Sequence, residues 1–179
     1  MELCRSEKLI SPVLILLYST IDIASYLNSA SASTRERFVL WCDTYLLKAK
    51  QLPCTALELY GARCGVVHAM SPDSDLSTAG KVRRIIYAWG DSEVDTLQSL
   101  LELTRMSDYV AVKLEELVEA YRLGLAFYIK DLEQDQDKAA LAEERAPKVF
   151  THMSKERAQA LLDWGRSMTQ GIWKEFPSD

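Results

Sequence analysis

Histidine occurs at only two positions of the 179-residue chain, His68 and His152. The first lies in "YGARCGVVHAMSP", Tyr60 to Pro72, five positions after Arg63 in an otherwise small and apolar stretch. A histidine exchanges protons near neutral pH. An arginine offers a rigid fork of donors to phosphate oxygens. Side by side, the two residue types are suited to acid–base work at a phosphate. The spacing alone carries little weight, because Arg145 and His152 form a comparable pair. That second pair sits in "RAPKVFTH", where Pro147 is incompatible with a regular helix interior. It is expected to be a chance pairing in a connector without acidic or packing context.

The element that must hold Arg63 is a helix. On an ideal helix Arg63 shares its face with Leu59, Tyr60, Val66 and Val67, which are core-type residues. A charge on such a face needs a partner, since an unpaired buried charge costs several kcal/mol. Asp22, on the inward side of the first helix, is the expected partner. His68 falls about 140° further round, so the pair is expected to meet only near the helix end or across two copies of the helix. Gly61, Gly65 and Ala69 recur every four residues beside it. Such a stripe lets another backbone come close, and a dimer seam is expected there. Lys81, Arg83 and Arg84 follow soon after and are candidates for holding phosphates. The plain structural alternatives are a solvated basic face, a structural His68, and an Arg63 that only pairs with Asp22.

Helical periodicity predicts a first helix from about Lys8 to Asn28, with Leu14, Leu17, Tyr18 and Ile21 inward. Ser33 with Glu36 forms a capping box that opens a second helix, carrying Phe38, Trp41, Tyr45 and Leu46 to about Lys50. Pro53 ends that stretch. Thr55 with Glu58 caps the third helix, which runs to about Met70. "SPDSDLSTAGK" is a turn-rich connector, and "KVRRIIYAWGD" has the β-branched and aromatic character of a short strand around 82–89. A long helix is expected from about Tyr109 to Gln134, and "DQDKAALAEERA" and "SKERAQALLDWG" read as short terminal helices. The fold class is mostly α: one helical-bundle domain over 1–179, with its core at about 9–134 and short helices over 135–179.

The totals exclude several classes. A net charge of −5 argues against extensive coating of nucleic acid. The four cysteines, Cys4, Cys42, Cys54 and Cys64, form no CxxC pair, so no zinc site and no cofactor is expected. They read as small buried hydrophobes in a reducing compartment, and the expected location is the cytoplasm. "VLILLY" followed by Ala30-Ser31-Ala32 mimics a signal peptide, but Pro12 and Asp22 interrupt the apolar run. No stretch of about 18 uncharged apolar residues exists, and no membrane association is expected.

"ELYGARCGVVHAMSPDS", following a capped helix and a long apolar first helix, resembles the HEPN domain family (higher eukaryotes and prokaryotes nucleotide-binding). The hallmark there is an arginine, four to six residues, then a histidine; Arg63-Cys64-Gly65-Val66-Val67-His68 is similar to the short form seen in bacterial members. The resemblance covers roughly Leu9 to Leu132. It implies a four- to five-helix bundle that dimerises and assembles one cleft from both motif copies. It also implies a metal-independent endoribonuclease of a toxin–antitoxin, defence or stress system, with RNA and an antitoxin or other protein as partners. Arg63 and His68 would then be catalytic, Asp22, Cys64 and Tyr60 supporting, Lys81, Arg83 and Arg84 RNA-binding, and Gly61, Gly65 and Ala69 at the dimer interface. Cys64 departs from the polar residue that follows the arginine in many active members. Met70 stands where some toxin members carry a modified tyrosine, so that regulation does not transfer. The alternative is a non-catalytic HEPN-like module that binds RNA, a nucleotide or a protein.

Overall fold

The computed structural model of the chain describes residues 1, 4, 6–149, 159 and 163. The chain is mostly helical, with a small two-stranded parallel sheet. It forms two compact units, Met1–Arg145 and Ala146–Asp179.

Helix α1 spans Ile10–Asn28 and buries Val13, Leu14, Leu17, Tyr18, Ile21 and Ala24. Over 18 of its 19 residues the mean hydropathy is 1.6, so the helix is long and apolar enough to cross a membrane. The interrupting Pro12 and Asp22 therefore dilute it less than the sequence pattern implies; in this fold its apolar stripe packs on the next two helices. Helix α2 spans Thr34–Trp41. Ser33 Oγ caps it by accepting from Glu36 N at 3.3 Å. The reciprocal half of the expected box is missing, because Glu36 Oε2 takes the Ser31 hydroxyl at 2.7 Å instead. The segment continues through one π turn, Cys42–Leu46, and ends with Leu47–Ala49. Trp41 and Tyr45 stack into a ring cluster with Tyr121 and Tyr128, centroids 5.3–6.4 Å apart. Helix α3, Ala56–Ala69, begins with the full Thr55/Glu58 box and stops at Met70, whose φ of 51° is left-handed. It packs against α1 and α2.

A short helix α4, Asp75–Thr78, leads to strand β1, Arg84–Ala88. Tyr87 reaches from β1 to α1, its hydroxyl 2.5 Å from that of Tyr18 in the core. Helix α5, Val94–Leu103, then crosses over to strand β2, Tyr109–Lys113. The strands are parallel, in register from Arg84↔Tyr109 to Ala88↔Lys113. Helix α6, Leu114–Gln134, lies on the π turn, and α7 is Gln136–Val149.

Three expectations need correction here. Residues 109–113 begin a strand, not the long helix. Val110, Ala111 and Val112 are all buried, so β2 is covered on both faces and shows no alternation of apolar and polar residues. Helix α5 fills a stretch between strand and long helix for which the sequence pattern predicts no element. Pro147 sits in the last turn of α7, which ends two residues later, and Arg145 is far from contextless. Arg145 Nη1 donates to the Tyr26 carbonyl at 2.7 Å and to that of Ser29, and its guanidinium lies 4.7 Å from the Tyr26 ring. His152 and most of the helix expected at 154–165 lie outside the described residues.

Candidate functional site

The cap at Thr55 and the stop at Met70 fix the phase of α3, and with it the directions of Arg63, Cys64 and His68. The Arg63 side chain is only 15% exposed and meets α1 at Asp22. Both Nε and Nη2 approach the same oxygen, Asp22 Oδ2, at 2.6 Å. The other oxygen, Oδ1, is buried without a hydrogen-bond partner among the described residues. Nη1 is left to turn along the helix, where it lies 3.1 Å from His68 Nε2 and 4.0 Å from Cys64 Sγ.

Arg63 and His68 therefore meet within one chain, at the C-terminal end of α3. The long arginine stem spans the turn and a half that an ideal helix places between them. The site of contact is favourable, since the end of a helix attracts positive charge. A guanidinium has no lone pair, so Arg63 donates and His68 Nε2 accepts. The arrangement is a relay: Asp22 holds Arg63, and Arg63 meets the His68 imidazole at the surface, where His68 is exposed.

Burial pushes the Asp22 carboxyl above its ordinary range, and the hydrogen bond and charge of Arg63 only partly offset it. Burial works against the Arg63 cation too, but the Asp22 contact outweighs it and raises the guanidinium. Both directions fit a carboxylate with one oxygen doubly satisfied and one oxygen dry. Tyr60 packs its ring edge-on to Phe38, centroids 5.5 Å apart. Burial, and then Cys64, push its hydroxyl up. Tyr60 and Cys64 line a recess of about 350 Å³ beside Ser33, Arg35 and Asp75.

Two groups of expected site residues are placed elsewhere. Gly61 and Gly65 are covered by the chain's own connector and do not form an open seam. A Cβ on Gly61 would lie 2.9 Å from Val82 Cγ2, and one on Gly65 would overlap the Ser71 carbonyl and lie 2.6 Å from that of Asp73. Small residues are needed there for the loop to fold back, and of the stripe only Ala69 is exposed. Of the basic trio, Lys81 is exposed. Arg83 is held by Glu58, Nε to Oε1 at 2.6 Å and Nη2 to Oε2 at 3.1 Å. Arg84 is held by Asp73 and Asp108, each at 2.6 Å. The two arginines are thus neutralised by carboxylates of their own chain.

Its place three residues after Thr55 marks Glu58 only as a cap. It is also the buried acid of this second ion pair, and burial is outweighed by Arg83 and the Thr55 N–H and hydroxyl, which hold it below its ordinary range. Nothing in the spacing of Glu58 and Arg83, 25 positions apart, signals that contact. Among the described residues no group of three or more His, Cys, Asp or Glu is placed to hold a metal ion, and all four cysteines are free. No family model matches the chain, and no curated protein or solved structure is significantly similar to it.

Proposed function

We propose that the chain is a metal-independent endoribonuclease of HEPN type, acting on single-stranded RNA as a toxin or a defence or stress effector. The observation that carries this reading is the contact of Arg63 Nη1 with His68 Nε2 at 3.1 Å, braced from behind by Asp22. In the proposed reaction His68 Nε2 takes the proton of the RNA 2′-hydroxyl as the 2′-oxygen attacks phosphorus. Arg63 Nη1 swings from the imidazole to a non-bridging oxygen and stabilises the charge that builds there. The bond to the 5′-oxygen breaks, and that oxygen takes a proton from a second acid. In a symmetric dimer the second acid is the His68 of the other copy. Such a dimer would meet at the exposed end of α3, around His68, Ala69 and Met70.

The test is cleavage of single-stranded RNA in EDTA, with single-stranded DNA as control. RNA fragments ending in 2′,3′-cyclic phosphate are expected. His68→Ala and Arg63→Ala should each lower the rate at least about 10²-fold, the scale of one acid–base or charge-stabilising group. His152→Ala should change nothing. Equal activity of wild type and His68→Ala would refute the reading. A second reading, a non-catalytic module that binds RNA, a nucleotide or a protein, is favoured by Cys64 next to Arg63, by the net charge of −5, and by the pairing of Arg83 and Arg84 with carboxylates of their own chain. A folded protein that cleaves no RNA but binds it through Arg63 would establish that alternative.

A further inference from the structure

The two edges of the small sheet are treated differently by the fold. Arg84 N donates to the Asp108 carbonyl at 2.8 Å, and the register runs from Arg84↔Tyr109 to Ala88↔Lys113. In a parallel ladder this turns the backbone groups of Arg84, Ile86 and Ala88 toward β2. Those of Ile85 and Tyr87 point the other way, and no described residue pairs with any of the four. The outer edge of β2 is covered, because Ala111 N donates to Gln98 Oε1 of α5 at 3.2 Å. One side of the sheet is sealed and the other is open.

The open side is recessed. It floors a groove of about 270 Å³, walled by Ser11 and Leu14 of α1, by Ala62 and Val66 of α3 and by Met70 just beyond it. Ile85, Ile86 and Tyr87 all line that groove. Three successive strand residues cannot share one face, since side chains alternate; what they share is the edge. Backbone groups of a strand edge left without partners are costly where burial keeps water from them, and they seek partners. Ile85 is only 3% exposed.

We propose that the β1 edge receives an extended peptide strand of another protein, which pairs with the backbone of Ile85 and Tyr87 and sets uncharged side chains into the groove. The charge pattern selects this occupant. No Asp, Glu, Lys, Arg or His lines the groove; beside the Ser11 and Ser71 hydroxyls its polar features are the outward backbone donors and acceptors of β1, which an extended backbone complements and a helix, with its own groups satisfied, does not. A second copy is excluded by shape, because a strand sunk between two helices cannot reach another strand sunk in the same way. The inference does not rest on the reading of Arg63 and His68.

The test is selection of peptides from a displayed library of random heptapeptides on the whole protein, followed by hydrogen exchange with the best synthetic peptide. Enriched sequences should be uncharged and apolar at alternate positions. The peptide should slow exchange of the Ile85 and Tyr87 amides about tenfold or more, and N-methylating its alternate amides should weaken binding by at least about tenfold. Ser11→Trp, on an exposed wall, should block binding without touching the core, and Val66→Trp should do so from within. No enrichment over Ser11→Trp overturns the proposal. So does peptide binding that leaves both amides unchanged, and so does protection of both amides by concentration-dependent self-association.

Discussion

Replacing Gly65 with alanine isolates a single steric question. Glycine in a helix interior is worth about 1 kcal/mol less than alanine, so at an open position the change would stabilise the protein. At this position the new methyl group would overlap the Ser71 carbonyl oxygen and lie 2.6 Å from that of Asp73. Both obstacles are backbone, which cannot turn aside as a side chain can. The connector after α3 must retreat, which breaks the Ser71 N to Gly65 O bond of 3.2 Å and disturbs the left-handed turn at Met70. Overpacking costs about 1–3 kcal/mol and a lost hydrogen bond about 0.5–1.5 kcal/mol. After subtracting the helix gain, the net loss is about 1–3 kcal/mol, or a Tm lower by about 3–10 °C. Gly61→Ala is the control, because its closest obstacle is the Val82 methyl at 2.9 Å, which can shift. Urea and thermal unfolding followed by circular dichroism measure both variants. Gly65→Ala as stable as wild type, or less damaging than Gly61→Ala, would refute the reasoning. Sedimentation of the same variants checks that the loss is of folding and not of self-association.

The ion pairs and the buried hydroxyls give further tests. Glu58→Gln should cost about 1–2 kcal/mol at neutral pH, less than for a fully buried pair because the Arg83 side chain is 41% exposed. The Glu58 carboxyl is held below its ordinary value of 4.5. Its contribution is therefore present above about that pH and lost as pH falls through the lowered folded value; Glu58→Gln should flatten the acid limb of a stability–pH curve. Asp22 has the opposite sign: with its carboxyl raised above 3.8, it makes stability fall as pH rises through that window, a slope that Asp22→Asn should remove. Asp22→Ala should cost about 2 kcal/mol by stranding Arg63, and Arg63→Met in the same chain should recover part of it; no recovery would mean the charges are not coupled. Tyr18→Phe should cost about 1–3 kcal/mol by leaving the Tyr87 hydroxyl buried without its partner, and the double variant Tyr18→Phe, Tyr87→Phe should be more stable than the single one in urea unfolding.

The parts of this fold legible in the sequence are those set by local chemistry. Thr55 with Glu58 announces the start of α3 because both halves of the box act within four residues, and the apolar face around Arg63 calls for a carboxylate that Asp22 supplies. The parts that were not legible depend on distant contacts. The three central residues of β2, Val110 to Val112, are all buried, so the strand lacks the alternation that marks one, and it runs straight into the helical pattern of Leu114 onward. The glycines at 61 and 65 signal close approach of a backbone, but the spacing does not say whose; here it is the chain's own connector. Arg83 and Arg84 look like a free basic cluster until the fold brings Glu58, Asp73 and Asp108 to them. For Arg63 and His68 the spacing leaves two arrangements open, contact near the helix end or across two copies, and the reach of the arginine stem makes the first of them within the chain.

The π turn at Cys42–Leu46 amounts to one extra residue carried inside a helix. Taking it out would leave a plain α-helix, and everything after it would be rotated by about 100° and drawn back by about 1.5 Å. Tyr45 would swing off Asp131, whose Oδ2 it meets at 2.9 Å, and Lys50 would leave Glu119. Gly124 packs directly on the backbone of Tyr45 and Leu46, a Cβ there being 3.0 Å from either. The bulge and the glycine thus meet backbone to backbone: any side chain at 124 would press on Tyr45 and Leu46 within the π turn, so the room for the bulge is set by a residue far along the sequence.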